Sequence, residues 1–371
     1  GKLQEEDTLT LTKDYNGSVL PQITATGNIT VDLNGYDITG ISTNSDRGGL
    51  TFWPSTATKV TVKNSAEELS TITGYHGLYA TTRSSNQQVE LNLAGNLAFV
   101  GEEGDSIYLG YAYLPYTEEN AALYSNGGFK AVDAEDNAYI YGTFAAAVDK
   151  DADKTVELLN NYTGTGSIAL AGREGTLDLQ GHTFTTKNSQ VVYPSAEGTN
   201  LTVKNGTLIN TGTAVTTGST NGECGASIMS NNVTLTLEDV SLTAQNDFGI
   251  VTHGTVSGIT VKPINSSVTT NGVGIYFPSK DSTLNIENCQ ITGSTAVGVK
   301  GGTVTISGES TVIRGIGEQV IPSEGVSSGI TDTGDAIYLE ANYGFGAKVI
   351  IEDGKFSSAN GKAVQMLFKA A

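Results

Sequence analysis

A pair made of a small aliphatic residue and a tyrosine returns along the whole chain: Leu78-Tyr79, Ile107-Tyr108, Leu123-Tyr124, Ile140-Tyr141, Ile275-Tyr276 and Ile337-Tyr338. About half a repeat earlier stands a second element, an alternating strand that ends in a charged residue and a turn former. Its copies are Val62-Lys63-Asn64, Val203-Lys204-Asn205, Leu237-Glu238-Asp239, Ile286-Glu287-Asn288 and Ile351-Glu352-Asp353, with Val261-Lys262-Pro263 as a variant. From first to second strand the step is 13 residues for Leu237 to Ile250, Ile286 to Val299 and Ile351 to Val364, and 14 for Val261 to Ile275. The return step is 11 for Ile250 to Val261 and for Ile275 to Ile286, so one repeat is 24 or 25 residues.

A near-fixed period of this size marks a stacked repeat. Within it the runs are short, rich in Val, Ile, Leu, Thr and Tyr, alternate with polar residues, and are bounded by Gly, Asn, Asp and Ser. They read as strands and turns, and no window of a dozen residues carries a helical stripe. Short strands with no crossing helix can pair only with the coil above and below. The expected fold is therefore all-β, a parallel β-helix whose strands lie about 4.8 Å from their copies in the next coil.

Two openings look alike. The segment Asp7 to Gly40 and the segment Lys154 to Thr186 each carry a strand, a polar turn, a second strand and an Asp-Leu-Asn/Gln-Gly corner, at Asp32 to Gly35 and Asp178 to Gly181. An opening strand usually caps the end of such a stack, so the chain is read as two tandem β-helical units, 1–150 and 151–371, joined at the polar run Asp149 to Lys154. One continuous helix with an internal duplication is the alternative. Two insertions break the period: residues between Ile306 and Ile337, and a segment between Ile107 and Ile140 that holds Tyr108, Tyr111, Tyr113, Tyr116, Tyr124 and Tyr139. Long loops on a rigid scaffold are where function tends to be placed.

The net charge is −19, which argues against nucleic acid or an anionic membrane as partner, since either needs a basic face. No run of eighteen apolar residues occurs, so no membrane insertion is expected. No signal peptide is visible at the start. Cys224 and Cys289, the two cysteines, either pair as one disulfide or stand as separate thiols.

The segments Ile29 to Gly40 (ITVDLNGYDITG), Gly175 to Thr186 and Leu201 to Leu208 (LTVKNGTL) resemble the right-handed parallel β-helix proteins of the pectin-lyase-like superfamily. The nearer likeness is to bacterial cell-surface, adhesin-like members. The resemblance covers most of the chain, implies the fold, and implies a secreted or bacterial cell-surface location. Its motifs are structural corners and carry no chemistry.

The superfamily includes polysaccharide lyases and glycoside hydrolases. Polygalacturonase-like hydrolases carry an Asp-Asp pair and a Gly-His-Gly, and this chain has neither. Thr333-Gly334-Asp335-Ala336 is similar to a Gly-Asp-Asp segment with its second Asp replaced, so the acid and base of inverting hydrolysis have no assigned pair. Pectate-lyase-like chemistry would need carboxylates holding Ca²⁺ and an Arg or Lys base. Arg314, with Glu318, Asp332 and Asp335 in the same insertion, is the candidate catalytic set. Apart from that Ca²⁺, no cofactor is expected.

Because successive strand residues point to opposite faces, the aliphatic of each pair faces the core and the tyrosine faces out. Outward Tyr79, Tyr108, Tyr276 and Tyr338, with Tyr111 and Tyr113 from the insertion, could stack on sugar rings. They could equally steady the sheet by packing on one another. Glu238, Lys262 and Glu287, spaced 24 and 25 residues apart, are expected to form an alternating-charge ladder of structural character. His76, His182 and His253 have no ligand spacing within a coil, so no metal site is expected; His182 sits where the duplicate has Tyr36, and His253 is a weak candidate. The function expected is binding or adhesion at a surface, with a polysaccharide or a host or cell-surface glycan as partner. A polysaccharide lyase or glycoside hydrolase is the alternative.

Overall fold

The structure, a computed structural model, describes residues 2–3, 7–17, 22–25, 27–40, 43–54, 59–82, 88–212, 224–246, 248–321, 332–340 and 346–367. The chain is predominantly β, with long parallel-strand sheets consistent with a β-solenoid, and it divides into two compact units, Gly1–Asn160 and Asn161–Ala371.

In the second unit three strands recur per coil. One sheet runs Ile168–Leu170, Gln190–Pro194, Cys224–Ile228, Phe248–Thr252, Val273–Phe277, Val297–Val299, Ile337–Glu340 and Val364–Leu367, every neighbour parallel. A second contains Thr260–Ile264, Thr283–Glu287, Thr303–Ser307 and Lys348–Ile351. The third, which the spacing did not resolve, contains Ser267–Thr270, Gln290–Gly293, Val312–Gly315 and Lys355–Ser358. It begins after only two to four intervening residues because the backbone bends sharply at a left-handed residue. That corner is held by Asn205, Asp239, Asn265 and Asn288 in successive coils, with φ between 49° and 58°, and then by Gly308. Asn and Asp tolerate this conformation, and so the turn former of the sequence motif is the corner itself.

The corner column corrects two registers. Leu237 pairs with Pro263 and Glu238 with Ile264, which in turn pairs with Glu287. Lys262 instead lies beside Thr236, so the ladder Glu238–Lys262–Glu287 does not form. Likewise Ile250 pairs with Ile275, but Ile275 pairs with Val297, while Val299 pairs with Phe277. Both slips are of two residues. A slip of two leaves every side chain on its original face, so apolar alternation cannot detect it.

The duplicated corners are the same structure. Leu33 O accepts from Tyr36 N at 2.9 Å around Asn34 and Gly35, and Leu179 O accepts from His182 N at 2.7 Å around Gln180 and Gly181. All four central residues have positive φ, the pattern of a type I′ turn. His182 therefore stands in a structural corner. In each copy the aspartate meets a lysine one coil on, Lys63–Asp32 at 3.2 Å and Lys204–Asp178 at 3.4 Å. Burial pushes the Asp32 carboxyl up, but Ser65, Lys63 and the Asn34 N–H outweigh it and hold the group below its ordinary value.

In the first unit the strands Gly48–Phe52, His76–Ala80 and Ile107–Leu109 stack in parallel, with Leu50, Leu78 and Ile107 in one inward column. The tyrosine-rich insertion departs from the coil. Leu123-Tyr124 closes a short helix, Glu118–Leu123, and Ile140-Tyr141 belongs to an antiparallel set made by Ala112–Pro115, Phe129–Val132, Ala138–Tyr141 and Thr155–Leu158. Neither pair is a coil strand. A second helix, Phe144–Lys150, starts at Thr143, whose hydroxyl accepts the Ala146 N–H, and buries Phe144, Ala147 and Val148.

Candidate functional site

A cleft of about 600 Å³ opens on the first unit, within the range of small-molecule sites. Its aromatic lining is Trp53, Tyr79, Tyr108, Tyr111 and Tyr141. Parallel register builds one wall. Thr51, Tyr79 and Tyr108 lie directly above one another, and Trp53 follows the first of those strands. Because Leu78 and Ile107 point into the core, Tyr79 and Tyr108 project from the outer face. Their rings stack with centroids 4.5 Å apart and planes within 5°, and Trp53 lies 6.5 Å from Tyr79. The opposite wall is the helix Phe144–Lys150 and the residue before it, which contribute Thr143, Ala145, Ala146 and Asp149.

The openness differs from ring to ring. Tyr111 is 45% exposed, Trp53 and Tyr108 are half-buried, and Tyr79 is nearly closed. Burial, with Tyr108 and Asp46 nearby, pushes the Tyr79 phenol up to about 12, and Tyr108 is raised for the same first reason. Both hydroxyls therefore stay protonated and can donate at any ordinary pH.

Behind the stack sits His76. Its ring centroid is 5.6 Å from Tyr79 and 5.0 Å from Tyr108. Nδ1 accepts the Asp105 N–H at 2.8 Å, and Nε2 lies 2.9 Å from Ser45 O. An accepting Nδ1 places the proton on Nε2, which leaves the ring neutral. Burial lowers its pKa, and the charges of Asp105 and Asp46 only partly oppose this. The sign follows from linkage: the unfolded chain takes up a proton that the folded ring resists, so stability present above the unfolded value is lost as pH falls below it. Unit one is expected to lose stability as pH drops below about 6.5, and His76→Asn to flatten that dependence, as read by urea midpoints across pH.

The other sequence candidates are dispersed. Tyr113 faces Glu90, its hydroxyl 3.3 Å from Oε2, and its ring meets Tyr139 edge-on at 5.3 Å. Burial and Glu90 push its phenol up to about 12. Tyr276 is buried in an apolar cluster with Cys224, Phe248, Val251 and Val273. Tyr338 is fully buried, its hydroxyl 3.2 Å from Glu340 Oε2. The expected row of exposed rings is thus open only on the first unit. Lys300, one residue past Val299, is 1% exposed and paired with Glu340 at 2.8 Å.

Arg314, Asp332 and Asp335 do not form one constellation. Arg314 is exposed on its strand, beside Thr292 and Ser357. Asp335 is fully buried, with Oδ1 accepting the Lys362 N–H at 2.7 Å. Asp332 Oδ1 accepts from the Thr295 hydroxyl at 2.7 Å, a contact between segments 37 residues apart. No ion pair joins Arg314 to either aspartate among the described residues. His253 Nδ1 meets Thr255 Oγ1 at 2.7 Å, and Asp247 lies outside the described residues. Cys224 and Cys289 are both buried and are not bonded to each other. Among the described residues no group of three His, Cys, Asp or Glu could hold a metal ion, and no helix is long and apolar enough to cross a membrane.

Sequence reasoning missed Trp53, Asp46, Thr143 and Asp149 as neighbours of the tyrosines. Trp53 is the sole tryptophan and sits just past a strand of the repeat, a signal that could have placed it in the tyrosine register. The helix wall carried no comparable signal. No protein-family model, no curated protein and no solved structure matches this chain.

Proposed function

We propose that this protein is a right-handed parallel β-helix in two tandem units, secreted or displayed at a bacterial cell surface, that binds a saccharide in the cleft of its first unit. The observation that carries the reading is the set of five aromatic side chains around one cleft of about 600 Å³. Sugar rings present apolar C–H faces that stack on aromatic rings, while their hydroxyls need donors and acceptors at the edges. Trp53, Tyr108 and Tyr111 offer the open ring faces, and Thr143, Gln88 and the phenol hydroxyls offer the edges. The stack of Tyr79 on Tyr108 fixes the platform before any ligand arrives, which lowers the ordering cost of binding.

Retention on an array of polysaccharides and host or cell-surface glycans tests the reading. Trp53→Ala and Tyr111→Ala are each expected to weaken binding about tenfold or more, since a lost aromatic platform removes roughly 1–2 kcal/mol. Unchanged retention in both variants, or no retention of the intact protein on any glycan, would remove the cleft from consideration.

A further inference from the structure

The charges around the cleft narrow its ligand, given the saccharide reading above. Two carboxylates line it, Asp46 beside the tyrosine stack and Asp149 on the helix wall, and among the described residues no lysine, arginine or histidine side chain does. The charge of Asp46 reaches the phenols of both Tyr79 and Tyr108 and helps keep them protonated. Asp105 acts on Tyr108 from behind. Among the described residues, Arg47 is a cation held against the cleft's tryptophan. Its guanidinium lies 5.1 Å from the Trp53 ring centre and donates to the backbone oxygen of Asp46 at 2.8 Å.

Aromatic faces attract cations through their negative quadrupole, and the effect strengthens where water is partly excluded. Carboxylates at the same rim add a through-space attraction that salt screens. A carboxylated sugar would meet repulsion from Asp46 and Asp149, while Arg47 is engaged with the Trp53 ring and the Asp46 backbone oxygen. We infer that the cleft takes a saccharide bearing a free ammonium, of the glucosamine type, and turns away uronate and sialate sugars. Ring stacking supplies the contact common to all sugars; Asp46 and Asp149 supply the selection among them.

The test is a titration of the full chain with three oligomers of equal length, one of glucosamine, one of N-acetylglucosamine and one of galacturonate. At low salt the glucosamine oligomer is expected to bind about tenfold more tightly than its acetylated counterpart, and galacturonate most weakly. Raising the salt should shrink that preference. Asp46→Asn and Asp149→Asn should each reduce the preference of the amine over the acetylated oligomer, and the double variant should erase it. Equal binding of the amine and acetylated forms, or a preference that survives the double variant, would overturn the inference and leave the saccharide reading standing. Failure of all three oligomers to bind would overturn the inference, and no retention on the glycan array as well would overturn both.

Discussion

Lys300→Ala is expected to destabilise the second unit by about 3–5 kcal/mol, the cost of leaving a buried carboxylate without its partner. Lys300 and Glu340 are each 1% exposed, and their charged groups meet at 2.8 Å. The pair follows from register: Val299 lies opposite Leu339, which brings Lys300, just past the end of its strand, beside Glu340, the last residue of the neighbouring strand. Tyr338 adds its hydroxyl to the same carboxylate. A buried ion pair is weak evidence of net stabilisation, because desolvation of both groups offsets much of their attraction. Removing one member is a different matter. The double change Lys300→Met with Glu340→Leu is therefore expected to recover most of the loss. Urea midpoints measure the energies, and hydrogen exchange at Val297–Val299 and Ile337–Glu340 locates them. A single variant within 1 kcal/mol of the parent, by the range for broken buried pairs, would show that the pair is dispensable.

Gly274→Ala should cost about 3 kcal/mol or more, at the upper end of overpacking penalties. Gly225, Gly249 and Gly274 stand at equivalent positions in three successive coils. A Cβ on each would collide with a backbone oxygen one coil on, that of Gly249, Gly274 and Ala296 respectively. It would also strike the apolar side chains behind it: Leu242 at Gly225, Val268 at Gly249 and, at 3.0 Å, Ile291 at Gly274. None of the three has positive φ, so the requirement is for space and not for backbone conformation. Gly254→Ala is the matched control, since its nearest neighbour would be Pro278 at 3.8 Å, an ordinary contact. Its expected effect is within about 0.5 kcal/mol. Equal urea midpoints for Gly274→Ala and Gly254→Ala would contradict the packing described for the column.

The parallel coil and its inward columns were legible because alternation and turn chemistry repeat. Leu78 with Ile107, Val203 with Leu237, and Ile286 with Ile306 and Ile351 all pair as equivalent positions. Registers failed where a competing turn former stood near the true one. Pro263 in the variant motif lies inside a strand, and the corner falls two residues later at Asn265. The third sheet was hidden because its strands follow the second across one short corner, as with Asn288-Cys289 between Glu287 and Gln290.

The candidate site was half legible. Tyr79 and Tyr108 follow from the repeat, and their stacking follows from register. Whether an outward ring is open or covered depends on what packs over the sheet, and that separates Tyr108 from Tyr276 and Tyr338. In the first unit the elements beside the tyrosine stack, the antiparallel strands and the helix Phe144–Lys150, lie outside the repeat and share no period with it.

Trp53 is the only tryptophan of the chain and lines the cleft, so its emission reports occupancy without a label. Titration with a saccharide oligomer should give a saturable change in that emission, absent in Tyr111→Ala at the same concentrations. Emission that stays flat through concentrations at which the protein is retained on glycan would place the binding elsewhere and contradict a saccharide site between the tyrosine stack and the helix.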